Sequence, residues 1–179
     1  MKGFRFLIFL FTVLAFLLTA CPFSSPFKVG QPELPDAKWT GIWEHKKMLN
    51  DSVVTDKLNI KIKNKEEIFL SSYIHFLNTE RPQRRSLKGY PVSVGTHKLV
   101  LLYSLNHNPD QLYMYFKYDF PEPGILILRA LNDEKVPDNL STASALEAWI
   151  LEQGNDQSIW EEPVPYSQVK PVNTADVHK

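Results

Sequence analysis

The sequence predicts a mainly β domain, an antiparallel sandwich or barrel with a single packing helix near its C-terminal end. Three observations predict it. Apolar and polar residues alternate at period two through successive short runs between residues 57 and 128. Turn-forming clusters separate those runs, and helical spacing of apolar residues occurs late, over residues 146–153. Short strands with no helices between them pair with their neighbours, which favours an antiparallel arrangement.

The N-terminal segment is read first because it sets the address. Lys2 and Arg5 precede an apolar run from Phe6 to Leu18 whose only polar member is Thr12. A basic start, an apolar stretch and small residues at a cut site are the requirements of a secretory signal. Thr19 and Ala20 supply the small residues, and Cys21, the only cysteine in 179 residues, follows them. Leu18-Thr19-Ala20-Cys21 resembles the lipobox of bacterial lipoproteins, with cleavage between Ala20 and Cys21. The resemblance implies acylation of Cys21: a diacylglycerol on its sulfur and a third acyl chain on its freed amine. Two or more chains hold a protein firmly at a bilayer, at ~0.8 kcal/mol per buried methylene. The family often marks inner-membrane retention by an aspartate after the cysteine. Pro22 stands there, which implies an outer-membrane anchor with the domain facing the periplasm. The competing reading is an uncleaved membrane helix over residues 6–23, near the lower end of the roughly 17–25 residues a span needs. Pro22 would break its last turn.

Residues 22–38 read as a tether. Pro22, Pro26, Pro32 and Pro35, with Ser24, Ser25 and Gly30, leave no apolar periodicity. At ~3.1 Å per residue such a segment would hold a domain up to about 50 Å from the bilayer. The alternative is an ordered stretch lying along the domain.

The domain proper is expected over residues 39–170. Leu58, Ile60 and Ile62 alternate with Lys57, Lys61 and Lys63, the pattern of a strand with one wet face. Ile68, Leu70, Ile74 and Phe76 oppose Phe69, Tyr73 and His75. Leu99, Leu101, Tyr103 and Leu105 share a face, and Leu112, Met114, Phe116 and Tyr118 oppose Tyr113, Tyr115 and Lys117. Residues 125–128 form a short buried run. Asn106 to Asp110 and Pro121 to Gly124 are turns. The helix places Leu146, Trp149, Ile150 and Gln153 on one face. Ser141, Thr142 or Ser144 caps its start, and Gly154 ends it. Its apolar face is expected to close one end of the sheet structure. A last strand lies around residues 167–169, and the tail from Pro171 is expected to be mobile.

Composition narrows the function. Removing residues 1–20 leaves 159, enough for one domain that buries roughly 70% of its unfolded surface. Losing Lys2 and Arg5 from 20 basic residues leaves 18 against 20 acidic ones, a formal charge of −2. That balance argues against a nucleic-acid partner. With Cys21 acylated the domain has no thiol, hence no disulfide and no cysteine chemistry.

Gly41-Ile42-Trp43 resembles the G-x-W element that opens the first strand of lipocalins and related small barrels. The resemblance implies a small antiparallel lipocalin-like barrel or half-barrel in which the tryptophan plugs the closed end. The family often stacks an arginine from the last strand on that tryptophan; the nearest candidate here is Lys170.

Trp43, Tyr73, Tyr103, Tyr113 and Tyr115 are candidate ligand-lining residues, since tyrosine offers apolar area and an orienting hydroxyl. The plainer reading is cross-strand packing. Arg81, Arg84, Arg85 and Lys88 form the only basic cluster, expected on a hairpin loop, where guanidinium forks suit anionic envelope groups; a solvated loop is the alternative. His45, His75, His97, His107 and His178 show no close metal-ligand spacing, and no nucleophile elbow or phosphate loop occurs. No catalytic residue, metal or cofactor is expected. The sequence therefore points to an envelope lipoprotein that binds a small apolar ligand or envelope component without catalysis. The alternatives are an assembly accessory that binds another protein and, less favoured, a hydrolase.

Overall fold

The computed structural model describes residues 23–49, 52–75, 83–105 and 112–171, with side chains omitted for residues 49, 52, 73–75, 83, 84, 170 and 171. The expected cleavage site at Ala20 and Cys21, together with Arg81, His107 and His178, lies outside the described residues.

Ten strands follow in chain order: β1 (Ser24–Ser25), β2 (Gln31–Pro32), β3 (Gly41–Leu49), β4 (Ser52–Ile62), β5 (Ile68–His75), β6 (Gln83–Val94), β7 (His97–Ser104), β8 (Tyr113–Asp119), β9 (Ile125–Ala130) and β10 (Val164–Pro171). From β3 to β10 each strand pairs antiparallel with the next, and β10 returns to pair with β3. The result is a closed eight-stranded, up-and-down, lipocalin-like barrel with two short added strands, β1 on β8 and β2 on β6. Closure removes the free edges of an open sheet.

Alternation divides each strand between an inner and an outer face. Trp43, Leu58, Ile60, Ile68, Leu70, Leu87, Val100, Leu102, Tyr118, Leu126, Leu128 and Tyr166 meet in one buried interior cluster, to which all eight barrel strands contribute. Gly89 belongs to this layer. A Cβ there would lie 2.7 Å from Ile68 Cγ1 and 2.9 Å from Leu102 Cδ2, so only glycine lets β5 and β7 fill the space.

One end is sealed by aromatic side chains. A short 3₁₀ turn, Ala37–Trp39, is capped by Asp36 and carries Trp39 under the barrel. Trp39 packs edge-on against Tyr118 (4.6 Å between centroids) and Phe120 (5.2 Å), and Trp43 packs against Phe120 (5.9 Å). Trp43 Nε1 donates to the Trp39 carbonyl at 3.0 Å, which satisfies the indole buried at this end. Gly41 has φ 151°, and a Cβ there would strike Gln168 Nε2 at 2.5 Å. Without it, Gln168 reaches across and donates to the Thr40 carbonyl at 3.0 Å. Gln168 is also the residue in register with Trp43, whereas Lys170 pairs one step away with Ile42.

Three expectations are corrected. The proline-rich segment is not a free spacer over its described part: it lies along the barrel wall. Phe23 N donates to Leu131 O, β1 and β2 pair with barrel strands, and Val29 is buried against β6 and β7. The helix, α1 (Ala143–Gln153), does not close an end. Leu146 and Ile150 pack on the outer wall with Val92, Val94, Leu99 and Leu101, while Thr142 caps its start by accepting from Ala145 N. The third concerns the basic cluster, expected on a hairpin loop: Arg84, Arg85 and Lys88 instead lie in β6, the longest strand. Lys88-Gly89-Tyr90-Pro91 resembles turn chemistry, yet a strand residue aims its N–H and C=O to the same side. The Pro91 carbonyl accepts from Glu33 N on the side away from β7, so the missing N–H leaves the β6–β7 ladder intact.

Candidate functional site: the barrel mouth

The hairpins β3–β4, β5–β6 and β7–β8 lie together at the end opposite the aromatic plug. Toward the plug, Trp43, Ile60, Ile68, Leu70 and Leu126 are sealed, and Ile62 and Phe120 are half-buried. Toward the other end His45, Asp56, Met114, Phe116 and Val164 are only half-buried, although Met114, Phe116 and Val164 still pack on the interior cluster. This end is termed the mouth.

A carboxylate sits inside it. Counting back by twos from Leu58 puts Asp56 on the inner face of β4. Tyr166 OH donates to Asp56 Oδ2 at 2.7 Å, and Ser72 Oγ donates to Oδ1 at 3.4 Å. Both donors are buried. Burial, together with the Asp56 charge, raises the Tyr166 phenol well above its ordinary pKa, so it remains a donor at neutral pH. His45 packs against the Tyr166 ring (5.6 Å) and contacts Pro165 O through Nδ1 at 2.8 Å. A carbonyl only accepts, so Nδ1 carries the proton, and a neutral imidazole keeps Nε2 as an acceptor. Ser72 Oγ bonds the carboxylate rather than an imidazole, an arrangement that orders the acid without activating the hydroxyl.

His45 also marks a seam. The β3–β10 ladder runs only to Ser167 and Glu44, and Pro165 beyond it has no N–H to offer. A groove of about 520 Å³ follows this seam, lined by Glu44, His45, Lys46, Pro165, Ser167 and Val169.

The sequence-derived candidates separate. Trp43 is interior but belongs to the plug, remote from the mouth. Tyr103, Tyr113 and Tyr115 do not line the interior: alternation turns Leu102, Met114 and Phe116 inward and the tyrosines outward. There Tyr103 stacks on Tyr90 (5.9 Å, 9°), and Tyr113 meets both edge-on. Lys28 Nζ lies 3.9 Å from the Tyr90 ring centroid. Tyr115 OH donates to Phe27 O, and burial pushes its phenol up to about 12. These tyrosines fasten the N-terminal segment to the wall. Tyr73 lies in β5 opposite Lys57 and Arg84; its side chain is not among those described. The basic cluster is likewise divided. Arg84, Arg85 and Lys88 are in β6, where Arg85 shares the inner register of Leu87 at the mouth. Lys88 is on the outer face near Glu67, at 4.0 Å.

Among the described residues, no three His, Cys, Asp or Glu side chains are grouped to hold a metal ion, and no helix is long and apolar enough to cross a membrane. Comparison with known families, curated proteins and solved structures finds no family model, curated protein or solved structure that matches this chain. The site therefore rests on its own geometry. Sequence reasoning missed Asp56, Ser72, His45 and Tyr166. Asp56 had a legible signal, a charge on the apolar phase of β4, but Tyr166 stands between Pro165 and Ser167 with no periodicity to flag it.

Proposed function

We propose that this chain is an outer-membrane lipoprotein, anchored through acylated Cys21 and facing the periplasm, whose barrel binds a small amphiphilic ligand at its mouth without catalysis. The observation that carries the binding reading is a carboxylate held by two buried donors on the inner face, among the half-buried His45, Met114, Phe116 and Val164. Apolar walls with a few oriented polar groups are the ordinary composition of a small-molecule site. Met114, Phe116 and Val164 would take the apolar part, and Asp56 and His45 the polar end. The lipobox residues and Pro22 support the anchor and its sorting.

Two measurements test this. Cys21→Ser should release the protein from membranes and abolish incorporation of labelled palmitate. Native mass spectrometry of the full chain in mild detergent should find a bound amphiphile that Phe116→Ala or Asp56→Ala removes. An empty wild-type barrel would overturn the binding reading. A second reading, an accessory that captures another envelope protein, is favoured by one feature: no described strand pairs with β3 beyond Glu44 on its β10 side. Such an edge accepts an added strand, and crosslinking through Lys46 or Lys47 would reveal it.

A further inference from the structure

We propose that the barrel stands on its open rim against the bilayer, so that the mouth opens directly onto lipid and draws its amphiphile from the membrane. This rests on the anchor reading above and adds an orientation to it. The first support is where the described chain begins. Phe23 N donates to Leu131 O at 2.9 Å, just past the end of β9 at the open end, and the Phe23 ring packs on Tyr115 at 5.5 Å. Tyr115 is two residues, about 7 Å, from the first residue of β8 at that end. Cys21 precedes Phe23 by two residues and reaches at most about 7 Å from it. With the proline-rich segment docked, no spacer remains between the acyl chains and this end of the barrel.

The second support is the rim itself. Met48 and Val53 face each other across the β3–β4 hairpin on the outer wall, 64% and 48% exposed. Leu105 and Leu112, flanking the β7–β8 connection, are 42% and 47% exposed. In an eight-strand ring these two hairpins lie on opposite sides, so apolar side chains project from both flanks of one end. A barrel free in water gains nothing from this, whereas a rim pressed into the headgroup region buries all four. Lys46, Lys47 and Arg85 are exposed on the same arc, where lipid phosphates would meet them. Asp133, Glu134, Glu161 and Glu162 gather beside the end of β9 and the start of β10. The barrel therefore leans onto its β3–β8 arc.

The test uses the full lipidated chain in vesicles of phosphatidylethanolamine and phosphatidylglycerol. Acylation consumes the native thiol, so Val53→Cys, Leu105→Cys and Leu34→Cys each add one reactive site for a nitroxide. Leu34, 76% exposed, lies at the plugged end and is the control. Collision with a water-soluble nickel chelate should fall at least threefold at the two rim labels relative to Leu34, and collision with oxygen should rise. Equal accessibility at both ends, with palmitate demonstrated on Cys21, overturns the orientation and leaves the anchor standing. Absence of palmitate from Cys21 overturns the anchor and the orientation together.

Discussion

The two ends of this barrel are made from the same eight strands and treat their interiors in opposite ways. At the plugged end Trp39, Trp43, Tyr118 and Phe120 interlock, the Trp43 indole finds a backbone carbonyl, and Gln168 ties the last strand to the first. At the mouth Met114, Phe116 and Val164 are half-buried and a carboxylate is retained, held by the buried Tyr166 and Ser72. Aromatic burial contributes stability roughly in proportion to area removed from water. A carboxylate among apolar side chains contributes little of that and must be solvated or bonded. Aromatic packing is thus concentrated at one end, and a buried hydrogen-bond network around a carboxylate at the other.

Substitutions break the comparison most sharply at the plug. Trp43→Ala should cost about 3–5 kcal/mol of unfolding free energy, because it empties a sealed site whose neighbours cannot collapse. Urea denaturation followed by far-UV circular dichroism measures it, and a loss below about 1 kcal/mol would mean that the plug is not packed as described. At the mouth, Tyr166→Phe should cost less, about 1.5–3 kcal/mol, the value of one hydrogen bond to a charged acceptor. The same denaturation experiment decides between the two ends: a larger loss at Tyr166 than at Trp43 would reverse the assignment.

A smaller effect comes from the outer wall near the plug. His97 is buried under α1, and burial, with Lys117 as the second cause, lowers its pKa below the ordinary histidine value. The folded state therefore prefers the neutral ring more than the unfolded chain does. This contribution is present in full above the unfolded pKa of about 6.5 and is lost as pH falls through the lower folded value. Denaturation midpoints should decline on acidification below about pH 6.5, and His97→Gln should flatten that decline; an unchanged slope would rule His97 out as its source. Smallest of all, Met48→Ser with Val53→Ser should leave stability within about 0.5 kcal/mol in solution, as expected for exposed positions. A large loss in the same assay would make the rim a structural element.

Sequence alone determined the phases of several strands, the late helix with its Gly154 end and a start at Ser141, Thr142 or Ser144, and the tryptophan that opens the barrel. Each is local: period-two alternation, a capping hydroxyl and a glycine are visible within a few residues. The phase separating Leu112, Met114, Phe116 and Tyr118 from Tyr113, Tyr115 and Lys117 was equally legible, but not which set faces inward. β7 shows why. From Leu99 to Leu102 every residue is buried, alternate ones by the interior and the rest by α1 and the N-terminal segment. Where both faces of a strand are covered, hydrophobicity no longer distinguishes inside from outside, and only the packing partners decide. Residues 83–94 escaped notice for a related reason, since a proline is admitted to β6 only because of what lies beside it. The mouth was beyond local reading altogether. Asp56, Ser72 and Tyr166 come from three strands, with 110 residues separating the acid from the phenol. Barrel closure between β3 and β10 is what brings them within hydrogen-bonding distance.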